Sequence, residues 1–317
     1  MRTLRAALLA LVLLALVGVA QAQETSGGEF DEPGAYQLGF VVGGLDRMIH
    51  VYVPEGYDPE TPMPMVLILH GAGGTGAGTA EFTDFNTLAD REGFIAVYPQ
   101  GYRGAWNDAR PDAQVQRVND VGFLNAIIRF LTERLSVDTS RIYAAGYSMG
   151  GMMAFRLGCQ LPDTIAAVAS VASTFPAYQL DACLFADPVP VLVIQGTDDD
   201  VIPIEGYRDP FGNRMMLSLD ETMRYWSELN ACDRSSQLSA LPDADPDDET
   251  VVSRYRYANC ADNAEVLIYL VRGGGHTWPG HPINAPFQLG ATSMDFDASE
   301  AIWEFFESHP GEAVTEP

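Results

Sequence analysis

Six short apolar runs constrain the fold of this chain: "MVLIL" (65–69), "FIAVY" (94–98), "RIYAA" (141–145), "AAVASV" (166–171), "VPVLVIQ" (189–195) and "AEVLIYL" (264–270). A strand with one solvated face alternates polar and apolar side chains. These runs are nearly continuous, as strands buried on both faces are. Stretches of helical spacing separate several of them, among them 120–135, Met149–Gln160 and Leu219–Leu229. That alternation predicts an α/β fold with a mostly parallel central sheet and helices on both faces. Ahead of the first run, "AYQLGFVV" and "DRMIHVYV" flank Gly43-Gly44 and do alternate, so an antiparallel hairpin should begin the sheet. A last helix should start at a cap on Asp297 with Glu300 three positions later, burying Ile302, Trp303, Phe305 and Phe306.

"RIYAA" and Met149–Gln160 are joined by Gly146-Tyr147-Ser148-Met149-Gly150, which spells GxSxG. In a sharp strand-to-helix elbow the central serine is held at strained dihedrals, and side chains two positions to either side would collide. Ser148 then stands above the carboxyl edge of the sheet at a helix N-terminus. A serine hydroxyl is a poor nucleophile until a base takes its proton. Of the five histidines, His276 follows "AEVLIYLV" and three glycines, which puts it on a loop at a strand end; His281 is its main rival. The acid that orients such a base should follow "VPVLVIQ", where "GTDDDVIP" (196–203) offers Asp198, Asp199 and Asp200. Serine, aspartate, histidine is the chain order of α/β-hydrolases. Donors for a tetrahedral oxyanion should be the Met149 amide and, from "LHGAGGTGAG" (69–78), the Ala72 amide, with Gly73 the alternative. Tyr147, Trp106 and Trp278 fall near the predicted mouth, where they serve either as an apolar substrate cleft or as core packing.

Composition narrows the partners. Against 43 acidic residues there are 18 basic ones, all arginine, for a formal charge of −25. Such a field disfavours nucleic acid and anionic membranes. The glycine-rich loop is no phosphate cradle, because no Gly-Lys-Ser/Thr follows it and the chain has no lysine. "LPDADPDDE" (241–249) lacks the central glycine and distal glutamate of a calcium loop, so it reads as a solvated turn and no metal is expected. At the N-terminus, Arg2 and Arg5 precede an apolar run and Ala20-Gln21-Ala22, which predicts an export signal over 1–22 and no membrane anchor after cleavage. Cys159, Cys183, Cys232 and Cys260 form no CxxC, so disulfides are expected in an exported chain; nearest-neighbour pairing is one of three connectivities. We expect a flexible segment over 23–33, one domain over 34–309, a tail over 310–317, and a monomer needing no cofactor.

A string of motifs carries a resemblance over nearly all of the chain after the signal: "LHGAGG", "YPQG", "WN", "VNDVGFL", "VDTSRIYAAGYSMGGMMA", "VPVLVIQGTDDDVIP", "GGGHTWPG" and "GATSMDFDASEAIWEFF". The chain resembles the secreted α/β-hydrolase esterases that include polyhydroxybutyrate depolymerases and feruloyl or acetyl-xylan esterases. The resemblance implies Ser148 as nucleophile, His276 as base and Asp199, rather than Asp198 or Asp200, as the orienting acid. It also implies a Cys232–Cys260 pair. Where that family often shows a cysteine in its oxyanion loop this chain has Ala72, which leaves the backbone donor in place. The linker and adsorbing module of many depolymerases have no counterpart here, which counts against efficient attack on crystalline polyester. The implied activity is hydrolysis of carboxylic esters through an acyl-enzyme, with hydroxyalkanoate oligoesters as the expected substrates. Feruloyl or acetyl-xylan esterase is the alternative. A dipeptidyl-peptidase-like hydrolase and a non-catalytic binding module are the further readings.

Overall fold

The computed structural model describes Phe30 and residues 32–111, 116–184, 186–233, 235–282 and 289–311. The predicted signal, most of the 23–33 segment and the end of the tail lie outside them. Within them, all six apolar runs are strands of one parallel block: β3 (Met63–Leu69), β4 (Ile95–Pro99), β5 (Val137–Tyr147), β6 (Ala167–Val171), β7 (Val191–Gly196) and β12 (Val266–Arg272). Side chains of β4, β6 and β7 are buried throughout, on both faces.

Antiparallel strands finish the sheet at each edge. The expected hairpin, β1 (Gly34–Val42) and β2 (Leu45–Val53), turns at Gly43-Gly44, both at positive φ, and pairs with β4. Across the sheet the order is β1-β2-β4-β3-β5-β6-β7-β12, continued by β11 (Val251–Tyr257) and β10 (Gln237–Ala240). A separate two-stranded ribbon joins β8 (Tyr207–Arg208) and β9 (Arg214–Met216).

Successive residues of a strand face opposite sides, and the core divides accordingly. On one face Leu67, Val97 and Val193 pack under α3 (Asp120–Thr132), α4 (Met149–Gln160) and α5 (Leu219–Leu229) through Phe123, Leu157 and Trp226. On the other, Val66, Ile68 and Ile194 meet α2 (Phe85–Glu92) and α6 (Ala298–Glu307) through Phe85, Ile302 and Phe306. Asp297 does cap α6, accepting from the Ser299 and Glu300 amides. The Glu300 carboxylate does not reach back to the cap; it pairs with Arg91 instead.

Helix α1 (Gly76–Thr83) replaces part of the expected glycine-rich loop. Its glycines and missing apolar stripe hide it from periodicity, and Thr75 starts it by accepting from the Gly78 amide at 3.0 Å. Cys159 is bonded to Cys183 and Cys232 to Cys260, the nearest-neighbour pairing. Among the described residues no helix is long and apolar enough to cross a membrane.

Candidate active site

Ser148 has φ 55° and ψ −118° between β5 and α4, the strained dihedrals an exposed nucleophile on an elbow requires. Both flanking glycines are sterically necessary, against different neighbours. A Cβ on Gly146 would lie 2.2 Å from the Gly150 carbonyl carbon, whereas one on Gly150 would lie 2.1 Å from the Leu69 carbonyl oxygen at the end of β3. The collision thus involves the neighbouring strand as well as the elbow itself.

Three loops at the carboxyl ends of β5, β7 and β12 bring Ser148, Asp199 and His276 together. His276 Nε2 lies 2.9 Å from Ser148 Oγ, and His276 Nδ1 lies 2.8 Å from Asp199 Oδ2. All three are nearly enclosed, with 9 %, 4 % and 3 % of Ser148, His276 and Asp199 exposed, so the relay is shielded from bulk water. Asp199 is held on both oxygens: Oδ1 accepts from the Val201 and Ile202 amides at 2.9 and 2.8 Å, and Oδ2 also accepts from Gln195 Nε2 at 3.0 Å. The acid and base loops are stitched by the Asp198 amide on the Gly274 carbonyl and the Gly273 amide on Thr197 Oγ1, each at 2.9 Å. Asp198 itself binds Thr197 Oγ1, Asp200 is exposed, and His281 pairs with Asp297.

Opposite the relay, the loop after β3 offers Ala72. The Gly73 amide, the alternative donor, is already given to the Gly104 carbonyl at 2.7 Å. Met149 is the first residue of α4, where the backbone N–H has no acceptor inside the helix. His70 braces this loop: its Nδ1–H reaches the Gly71 carbonyl at 2.7 Å, and Nε2 accepts from the Gly101 amide at 2.8 Å. Burial holds the His70 pKa below the usual histidine value, which keeps the ring neutral and the two roles fixed.

Of the two roles open to Tyr147, Trp106 and Trp278, cleft or core packing, burial favours the second. Trp106 and Trp278 are fully buried, their indole N–H groups committed to the His70 carbonyl at 2.9 Å and to Ser299 Oγ at 3.1 Å. An indole's large apolar area favours burial once its single N–H finds an acceptor. Tyr147 is 9 % exposed and gives its hydroxyl to the His276 carbonyl at 2.6 Å. Its phenol is pushed well above the ordinary value, first by burial and then by the charge of Asp199.

Residues 49–211 match the dienelactone hydrolase family. The chain belongs to that family. Over 283 residues it is 32% identical to "Putative esterase NocK" of Nocardia uniformis subsp. tsuyamanensis, covering 84% of this chain and 80% of that one. It is 28% identical over 242 residues to feruloyl esterase B of Piromyces equi, covering 73% of this chain but only 42% of the longer relative. Among solved structures, the acetyl xylan esterase of Aspergillus awamori superposes with a TM-score of 0.57 over 82% of this chain and 94% of that one. At 17% identity that likeness speaks for the shared α/β-hydrolase fold.

Sequence reasoning did not find Gln195, His70 or the bracing role of Tyr147 in this hydrolase. For Gln195 a signal existed, since it is a polar residue at the end of an otherwise apolar buried strand. Among the described residues, no group of three or more His, Cys, Asp or Glu is arranged to hold a metal ion.

Proposed function

We propose that this chain is an exported serine esterase that cleaves hydroxycinnamoyl or acetyl esters of plant cell-wall polysaccharide through an acyl-enzyme. The observation that carries the esterase reading is the continuous hydrogen-bond relay Ser148–His276–Asp199 on an elbow between β5 and α4. His276 Nε2 takes the Ser148 proton as Oγ attacks the ester carbonyl, and the Ala72 and Met149 amides receive the developing oxyanion. His276 returns the proton to the departing alcohol. Water, activated by the same imidazole, then releases the acid. Asp199 fixes the tautomer that leaves Nε2 free to accept, and stabilises the imidazolium.

Relatives named feruloyl esterase and acetylxylan esterase favour cell-wall esters over the hydroxyalkanoate oligoesters expected from the sequence. The export part of the reading is supported by the N-terminal pattern of Arg2, Arg5 and the apolar run, together with two disulfides.

A substrate panel tests the reading. Methyl ferulate, acetylated xylan and 3-hydroxybutyrate oligomers are offered to the protein and to its Ser148→Ala variant. Release of ferulate or acetate by the native protein alone is expected. Preferential cleavage of the hydroxybutyrate oligomers would replace the substrate class, and comparable turnover by Ser148→Ala would remove the nucleophile.

A further inference from the structure

The segment 105–110 lies along the first two turns of α4, directly beyond the nucleophile. The Trp106 amide contacts Met149 Sδ at 3.3 Å, Arg156 Nη1 binds the Asn107 carbonyl, and Gln179 Nε2 bridges the Asp108 and Met152 carbonyls at 2.8 and 2.9 Å. At the end of this segment stands an arginine whose orientation is set by a buried acid. Asp108 is fully buried and takes Arg110 Nε at 3.0 Å, Arg110 Nη2 at 2.6 Å and the Tyr178 hydroxyl at 2.8 Å. Arg110 Nη2 also lies 3.4 Å from Met152 Sδ. The Met152 amide donates to the Ser148 carbonyl, so Met152 is one helical turn, about 5.4 Å of rise, past the nucleophile.

The fork is anchored but not used up. Nε and Nη2 are engaged, Nη1 has no acceptor among the described residues, and the Arg110 side chain keeps 24% of its surface exposed. The Met152 that it touches belongs to a buried apolar cluster with Ile202 and Met216, and the amide of Ile202 is one of those that hold Asp199. A pre-positioned donor against an apolar side chain that itself stands one turn past the nucleophile is how a pocket fixes the orientation of a polar substrate. The neutralised Asp108–Arg110 pair, in a chain of charge −25, suits an uncharged acceptor better than a carboxylate.

We propose that Arg110 is a specificity-determining residue whose Nη1 N–H groups bind a neutral hydroxyl oxygen of the substrate, orienting the ester over the first turn of α4. This rests on the esterase reading above and names the substrate chemistry of the same site. The hydroxyl belongs either to the sugar alcohol or to the phenol of the acyl group, and paired substrates separate the two.

The test compares acetylated xylo-oligosaccharide with 1-naphthyl acetate, and methyl ferulate with methyl cinnamate, in the native protein, Arg110→Lys and the double variant Arg110→Met/Asp108→Asn. Lysine keeps a cation beside Asp108, and the double variant removes the buried charge together with its partner, so neither leaves Asp108 uncompensated. In one pair, the ratio of kcat/KM for the hydroxylated ester to that for its apolar counterpart should fall about tenfold in both variants, the scale of one hydrogen bond from a charged donor. The loss should lie in KM. Ratios within twofold of native in both pairs, including proportional losses on every ester, would overturn the proposal and leave Arg110 a structural residue. A native protein that cleaves none of the four esters would overturn the esterase reading itself.

Discussion

The Tyr147 hydroxyl donates to the backbone carbonyl of His276 at 2.6 Å, so the residue beside the nucleophile holds the loop that carries the base. The two rings are also 5.1 Å apart, which packs the imidazole against the phenol. Tyr147→Phe keeps that packing and removes only the donor. We expect kcat to fall about tenfold with KM nearly unchanged, because loosening the base costs transition-state geometry more than binding. A rise in KM at constant kcat would instead mean that Tyr147 touches substrate.

Asp199 Oδ2 is shared by His276 and Gln195, and this sharing predicts a graded response. Asp199→Asn should lower kcat by about 10³–10⁴-fold, since the amide supports the wrong imidazole tautomer. Gln195→Leu should cost far less, roughly three- to tenfold, because two backbone amides still grip Oδ1. Stopped assays with p-nitrophenyl acetate give both values. Equal losses would show that Gln195 holds up the β7 strand end as a whole rather than one oxygen of Asp199.

The pair Arg47–Asp120 spans 2.7 Å with side chains only 2% and 0% exposed, and it reaches the site through the backbone. Asp120 Oδ2 accepts the Asn107 amide at 2.6 Å, while Arg47 donates to the Gln100 carbonyl, so the segment behind the His70 brace hangs on these two charges. Arg47→Met strands a buried carboxylate and should cost about 3–5 kcal/mol, read by denaturant unfolding. Arg47→Met/Asp120→Leu should recover part of that, but not all, because the Asn107 amide is then left without its acceptor. A single variant as stable as the native protein would show that water has replaced the arginine.

What the sequence reveals follows the strength of each physical signal. Strands buried on both faces leave unbroken apolar runs, and all six parallel strands were legible from them. Ser148 and His276 were legible because the elbow demands glycines and the base demands a strand end. Asp199 was not separable from Asp198 and Asp200 by residue type. Only family resemblance chose it, and the spatial reason is that the Gln195 side chain and the Val201 and Ile202 amides converge on its carboxylate alone. The preference for Ala72 over Gly73 rests on one carbonyl, Gly104, thirty-one positions further on. Trp106 and Trp278 stayed open between cleft and core because hydrophobicity reports that a side chain wants cover, without saying whether a neighbour or a ligand supplies it.

The base loop has a second latch, and this one titrates. His281 Nε2–H donates to Asp297 Oδ2 at 2.8 Å, tying the end of "GGGHTWPGH" to the start of α6. That hydrogen bond raises the His281 pKa, against burial and with further help from the charges of Asp297, Asp84 and Glu300. Burial pushes Asp297 upward, but the bonds from His281 and the Glu300 and Ser299 amides leave it below its ordinary value. A raised histidine contributes fully below its unfolded pKa of about 6.5 and loses that contribution as pH rises through the folded value; a lowered aspartate contributes fully above about 3.9 and loses it as pH falls. Both are therefore present between about pH 4 and about pH 6.5. His281→Asn should lower Tm by about 2 °C at pH 5, the scale of roughly 1 kcal/mol, and the gap should narrow as pH rises through the raised histidine value. Thermal melts of both proteins from pH 4.5 to 9 read this directly, and a gap that stays constant with pH would reduce His281 to uncharged packing.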